Sequence, residues 1–178
     1  MQTLENAGIT VAYFDVSNFE QYLNMLDKCT MITGRRDLYK TNGTDVKEQI
    51  DTIKSRVDGS NPKILFIRTS SSSVKAKQSE GSVGGEILKD LGCVNIADSD
   101  TSLLDDLSLE AIVVATLITY LLQHSNDTDA AIRNIDKLLT SNPAWSSLTA
   151  VKQGRYYVLD KKLYNLKPNA KWGEAYKS

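Results

Sequence analysis

From Ser17 to Val57 the apolar residues recur at helical spacing. The stripe reads Phe19, Tyr22, Leu23, Leu26, Cys29 and Ile32, then, past Gly34, Leu38, Tyr39, Val46, Ile50, Ile53 and Val57. It predicts a long, nearly continuous helical rod with Ser17 and Glu20 as a capping box. Gly34 breaks the first helix, Asn42-Gly43 either kinks the second or ends and restarts it, and Asp58-Gly59-Ser60-Asn61-Pro62 ends the rod with turn chemistry. The helical period then disappears. Ile64-Leu65-Phe66-Ile67 is an unbroken apolar run, as expected of a strand buried on both faces of a parallel sheet.

Upstream of the rod, Leu4–Gly8 reads as a last helical turn stopped by glycine, and Ile9–Phe14 as a short strand. Downstream of the apolar run comes a polar loop, then a compact helix, Ser82–Leu91, stopped by Gly92. Val94–Ala97 follows as a short strand and Asp98–Asp106 as an acidic loop. Ser108 caps a further helix, with Glu110 in its first turn, where a carboxylate complements the helix dipole. Thr116–Leu122 fits a strand by its β-branching and also fits a continued helix. Helices are expected from Asn126 through Leu139 and from Pro143 toward Val151, then a strand at Tyr156–Leu159 and a final helix over Asn169–Ser178. The alternation of strand and helix from residue 62 onward predicts an α/β fold. It would be a single layered lobe, a mostly parallel sheet flanked by helices, preceded by a long connector helix.

Composition narrows the function classes. Hydrophobic residues are 41% and charged residues 24%, ordinary for a globular domain. The net charge of −1 argues against a nucleic-acid partner, which needs a basic surface. The cations near Arg68 are therefore a local feature. Cys29 and Cys93 have no metal or redox spacing, and each lies in an apolar pattern that predicts a buried thiol. Met1–Glu5 lacks the basic and apolar regions of a signal peptide. The longest apolar stretch, Ala111–Leu122, is too short to span a bilayer.

Candidate chemistry concentrates after the apolar run. In an open α/β sheet, ligands bind at the carboxyl ends of strands. Here that end carries Arg68, the serines Ser70, Ser71, Ser72 and Ser73, and then Lys75 and Lys77. Cationic donors with adaptable hydroxyls suit an oxygen-rich anionic ligand. Ser72 and Lys75 match the Ser-x-x-Lys pattern of acyl-serine enzymes, but its companion elements are missing. A binding loop is the better reading, and no enzyme activity is expected. Gly81-Ser82-Val83-Gly84-Gly85 lacks both nucleotide-binding glycine spacings, so close helix–sheet packing is favoured. His124 is the single histidine, which leaves no zinc cluster. Asp98, Asp100, Asp105 and Asp106 do not have EF-hand spacing. Tyr156, Tyr157, Tyr164 and Trp172 read as core. No metal site and no cofactor are expected.

Several stretches together resemble the C-terminal lobe of ABC-transporter solute-binding proteins for iron–siderophore, haem and cobalamin uptake. They are the run Arg68–Lys77, the stretch Gly85–Asp98, Ser108-Leu109-Glu110-Ala111, Asn142–Leu159 and Lys167–Tyr176. The resemblance implies two α/β lobes joined by a helical connector, with the ligand between them. It divides the chain into 1–16, a remnant of the N-terminal lobe, 17–61, the connector, and 62–178, the C-terminal lobe. It implies a non-catalytic C-terminal half of a binding protein for a ferric siderophore or similar chelate. Arg68 to Lys77 would line the cleft, with Tyr164 and Lys167 on a second cleft-edge loop. Glu110 would dock onto the ABC permease membrane subunits. The family is extracytoplasmic, periplasmic or lipid-anchored at the cell surface. Two departures stand out. Most of the first lobe has no counterpart, and after Ala111 the usual acidic Asp-Pro turn is replaced by Val113–Leu122. The alternative expectation is a truncated, self-associating domain without ligand, a homodimer through its exposed N-terminal segment.

Overall fold

The computed structural model describes residues 2–70, 73–104, 119–124, 133, 141, 143–164 and 168–178. Its strands are β1 (Lys63–Thr69), β2 (Val74–Ala76), β3 (Val94–Asn95), β4 (Thr119–His124) and β5 (Tyr156–Leu159). β1 is the hub. One edge pairs in parallel with β4, which pairs in parallel with β5. The other edge pairs in parallel with β3 at Lys63 and Ile64, then in antiparallel fashion with β2 from Ile67 to Thr69. The mostly parallel sheet expected from the sequence is present. Thr119–His124 is a strand because β1 supplies its partner edge, which settles the ambiguity over Thr116–Leu122 for those residues. The helix expected over Asn126–Leu139 and the cap at Ser108 lie outside the described residues.

The helices are α1 (Gln2–Asn6), α2 (Phe19–Thr33), α3 (Arg36–Tyr39), α4 (Asp45–Lys54), α5 (Val83–Asp90), α6 (Pro143–Ser147), α7 (Thr149–Lys152), α8 (Lys161–Tyr164) and α9 (Trp172–Lys177). The expected rod is instead a hairpin. Gly34 adopts the left-handed conformation, φ 68°, and its N–H donates to the Met31 carbonyl. Arg36 then reaches back to the Asp27 carboxylate at 2.8 Å and the Thr30 hydroxyl at 2.9 Å. Gly43, in the π-turn Lys40–Thr44, lies against Leu23 and Leu26, so close that an added Cβ would sit 3.1 and 3.3 Å from their methyls. Residues 36–54 therefore run back along α2. Helical spacing is the same whether two segments continue or fold back, so the period alone could not decide between them.

Three smaller expectations are also corrected. The cap of α2 is Asn18, which accepts from the Gln21 N–H at 2.9 Å, while Ser17 donates to the Gln21 side chain. Ile9–Phe14 is not a strand: it pairs with no strand among the described residues, and Ile9, Tyr13 and Phe14 are exposed. Cys29 is exposed and Cys93 half-buried. The apolar stripe of α2 is covered only over its first turns, and Met31 and Ile32 are exposed with Cys29. Tyr157 is exposed as well.

The core has two sides. Leu65 and Ile67 point to one face of the sheet, among Trp145, Leu148 and Ala97. Ile64 and Phe66 point to the other face, beneath α5. Val83 and Ile87 of α5 join a larger cluster with Phe19, Tyr22, Val46, Ile50, Trp172 and Tyr176. α5 is thus sandwiched between the sheet and the hairpin. Gly84 makes this packing possible, since a Cβ there would sit 2.8 Å from the Phe66 ring. That is the close helix–sheet packing expected of the glycine-rich stretch.

A polar knot ties the outer layer together. The Tyr176 hydroxyl donates to Asp90 at 2.5 Å, and Lys54 Nζ lies 3.1 Å from the same carboxylate oxygen. Burial, and then the hydrogen bond to the Asp90 carboxylate, pushes the Tyr176 phenol far above its ordinary range. A raised folded-state value means that neutral Tyr176 stabilises the fold fully below about pH 10, with that contribution lost progressively above it. Thermal melts should show a Tm that falls between about pH 9.5 and 11. Tyr176→Phe should start lower and fall less over that interval. Equal slopes for the two proteins would refute this assignment.

Candidate functional site

The end of β1 and the strand that follows it set up the site. Side chains alternate along a strand, so Arg68 shares the α5 face with Ile64 and Phe66. The β1–β2 register places Lys75 directly opposite Arg68. The Lys77 N–H continues the ladder by donating to the Phe66 carbonyl at 2.9 Å. Period two then puts Lys77 on the same face as Lys75. Three cations therefore share one face of a short hairpin. Like charges directly opposite each other destabilise a ladder. Among the described residues no carboxylate lies within ion-pair distance of any of the three.

A cavity of about 410 Å³ opens beside this face. Arg68, Lys77 and Tyr164 line it, with Gly81, Ser82 and Val83 at the start of α5. Asp15–Ser17, Ala76, Gln78, Glu80 and Leu104 complete the wall. Ser82 caps α5 by accepting from the Gly85 N–H at 3.3 Å, and its own hydroxyl donates to the Gln78 carbonyl. The segment between β2 and α5 is thus held by local bonds. Tyr164 is buried, and its hydroxyl donates to the Ala175 carbonyl at 2.7 Å. Burial pushes that phenol up as well. It offers the cavity a ring held in place by α9.

The sequence-expected residues divide into three groups. Arg68, Lys77 and Tyr164 meet on the cavity, across 96 positions of sequence from first to last. Lys75 is on the same sheet face but outside the lining. Ser70 and Ser73 close the turn of the β1–β2 hairpin: the Ser73 N–H donates to Ser70 Oγ at 3.0 Å, and the two hydroxyls are 2.9 Å apart. They do not line the cavity. The polar loop is therefore largely a hairpin turn, since Val74 and Ala76 find partners on β1 and apolar neighbours beneath it. Ser71, Ser72, Glu110 and Lys167 lie outside the described residues. Asp15 and Glu80 went unnoticed in the sequence and Ser17 was read only as a helix cap, because ordinary acidic and hydroxyl residues carry no local signal of what the fold will place beside them.

Asp98 accepts the Ser79 N–H at 2.7 Å, and Asp100 accepts from Ser102. These acids hold turns. Among the described residues no group of three or more His, Cys, Asp or Glu could hold a metal ion. No described helix is long and apolar enough to cross a membrane.

Comparison with known proteins follows the same line. No curated protein sequence matches the chain. Its fold is similar to an ABC transporter substrate-binding protein from Listeria monocytogenes, at TM-score 0.76 and 20% identity, covering 99% of this chain and 68% of that one. It is similar to Staphylococcus aureus IsdE complexed with heme, at TM-score 0.75 and 14% identity, over 99% and 69% of the two chains. It is also similar to the triscatecholate siderophore binding protein FeuA from Bacillus subtilis complexed with ferri-bacillibactin, at TM-score 0.68 and 19% identity, over 99% and 62%. The chain thus spans roughly two-thirds of these relatives' length. The family is one of extracytoplasmic, non-catalytic proteins that work with ABC permeases. With the family model described as "Periplasmic binding protein" matching residues 2–163, this chain belongs to the periplasmic binding proteins, the solute-binding components of ABC transporters.

Proposed function

We propose that the cavity beside β1 receives an anionic metal chelate, a ferric siderophore or haem, and that the chain presents it for ABC import. The observation that carries this is the trio Arg68, Lys75 and Lys77. Three cations on one hairpin face, two of them directly opposed, gain from an oxygen-rich anion placed between them. Tyr164 adds an aromatic wall suited to a flat or catechol-like ligand. In this reading residues 62–178 form the C-terminal lobe, 17–61 the connector and 1–16 the end of the first lobe. Ser71, Ser72 and Lys167 extend the ligand wall, and Glu110 meets the permease. A single wall buries little of a ligand, so affinity should be weak.

Titration with ferri-bacillibactin and with haem tests the reading. Trp145 and Trp172 are both buried and give the fluorescence signal. At least one probe should bind, and Arg68→Glu should weaken it about tenfold or more, given the loss of a charge-assisted contact. Wild-type protein that binds neither probe overturns the proposal, as does an Arg68→Glu, Lys77→Glu double variant that binds like wild type.

A second reading, self-association without ligand, is favoured by one observation. Ile9, Tyr13, Phe14, Met31 and Ile32 all expose apolar surface. Light scattering showing a monomer at high concentration would remove it.

A further inference from the structure

We propose that Asn95, which does not line the cavity, is a positioning residue that sets its Lys77–Ser82 wall, acting together with Asp98. This rests on the binding function proposed above. Asn95 ends β3 and is buried. β1 changes partner there: β3 pairs with Lys63 and Ile64, and β2 takes over at Ile67. The Asn95 side chain fills the gap. Its Oδ1 accepts from the Phe66 N–H at 3.4 Å and the Ala97 N–H at 3.3 Å, and its Nδ2 donates to the Lys77 carbonyl at 2.7 Å. Three residues on, Asp98 Oδ1 accepts the Ser79 N–H at 2.7 Å. The backbone that carries Lys77 into the cavity is thus held from outside at two points, one supplied by the end of β3 and the other by the turn that follows it.

The chemistry at position 95 is specific. The Lys77 carbonyl needs a donor and the Phe66 and Ala97 amides need an acceptor, so one group must supply both. An amide does this with one planar side chain. A carboxylate of the same shape keeps the acceptor and sets an oxygen against the Lys77 carbonyl. A buried carbonyl left without its donor carries a desolvation cost that the loop relieves by moving. Moving it displaces Lys77, and with it one of the two cations on the cavity.

The test uses the full chain with ferri-bacillibactin and haem as probes, Tm, and amide hydrogen exchange of residues 77–82 without ligand. Asn95→Asp removes the donor and brings a carboxylate into its buried place. Asp98→Ala removes the second hold, and Asp98→Asn keeps its acceptor. Ile50→Val, in the hairpin core, is a control for lowered stability alone. Asn95→Asp and Asp98→Ala should each speed exchange of the loop and weaken binding about tenfold, as for a lost buried hydrogen bond. Asp98→Asn should restore both, and Ile50→Val should bind like wild type despite its lower Tm. Affinities that track Tm across all four variants overturn the assignment, as do Asn95→Asp and Asp98→Ala proteins that bind like wild type. Wild-type protein that binds neither probe overturns the functional reading and this assignment with it. Loop exchange in the free protein shows separately whether the two holds exist.

Discussion

Trp172→Ala should cost the fold about 3–5 kcal/mol, a large share of the roughly 5–15 kcal/mol that a domain has. Trp172 has no exposed surface and is the largest fully buried side chain. Its ring lies 5.9 Å from Phe19 and 6.2 Å from Tyr22, so one side chain joins α9 to the start of α2. Alanine would leave a cavity between the C-terminal helix and the hairpin that neither element can close alone. For a chain of this size the loss corresponds to a Tm lower by roughly 6–20 °C. Trp172→Phe should cost much less. Among the described residues the indole N–H has no hydrogen-bond partner, so phenylalanine removes an unsatisfied donor while keeping most of the volume. Thermal melts of the two variants decide this. Equal losses would overturn this account of Trp172, in which ring volume and not the indole N–H holds the junction.

Gly85→Ala should be the most damaging single-methyl addition in α5, with a cost of about 1–3 kcal/mol or more. A Cβ there would sit 2.5 Å from the Ser79 carbonyl oxygen and 2.6 Å from Ser79 Cα. These are backbone atoms, and the Ser79 N–H is already tied to Asp98. The loop can make room only by breaking that hold, and the same loop forms the cavity wall. The substitution should therefore lower Tm and weaken chelate binding together. At Gly84 the clash is with the far end of the Phe66 ring, so Gly84→Ala should lower Tm and leave binding closer to wild type. Melts paired with ferri-bacillibactin titrations separate the two. A Gly85→Ala protein that binds like wild type would disconnect α5 packing from the cavity.

Much of this was legible before any coordinates. The run Ile64–Ile67 marks a strand buried on both faces, and its carboxyl end carries the cations that meet on the cavity. Gly8, Gly34 and Gly92 do adopt positive φ where the chain turns. The family was readable from short motifs because those motifs are local. What misled was pairing. Ile9–Phe14 has strand composition and no edge to join, while Val74–Ala76 looked like loop and became a strand beside β1. Hydrogen-bond partners far along the chain decide such cases, and propensity does not contain them. The serines misled for a related reason. Ser70 and Ser73 have the hydroxyls of a binding loop, and the turn that they close takes those hydroxyls up.

By itself the sequence determined the α/β class, the hub strand, the helix ends at glycine, and the cluster of cations after the hub. Each depends on neighbours within a few residues, which periodicity and turn chemistry report directly. Only the tertiary structure decided that the helical stripe folds back at Gly34, that Tyr164 joins Arg68 and Lys77, and that Asn95 and Asp98 hold the wall between them. Those contacts join residues that are far apart in sequence. They exist because β1 brings the elements together around one buried strand, and no local pattern records which side chain will arrive there.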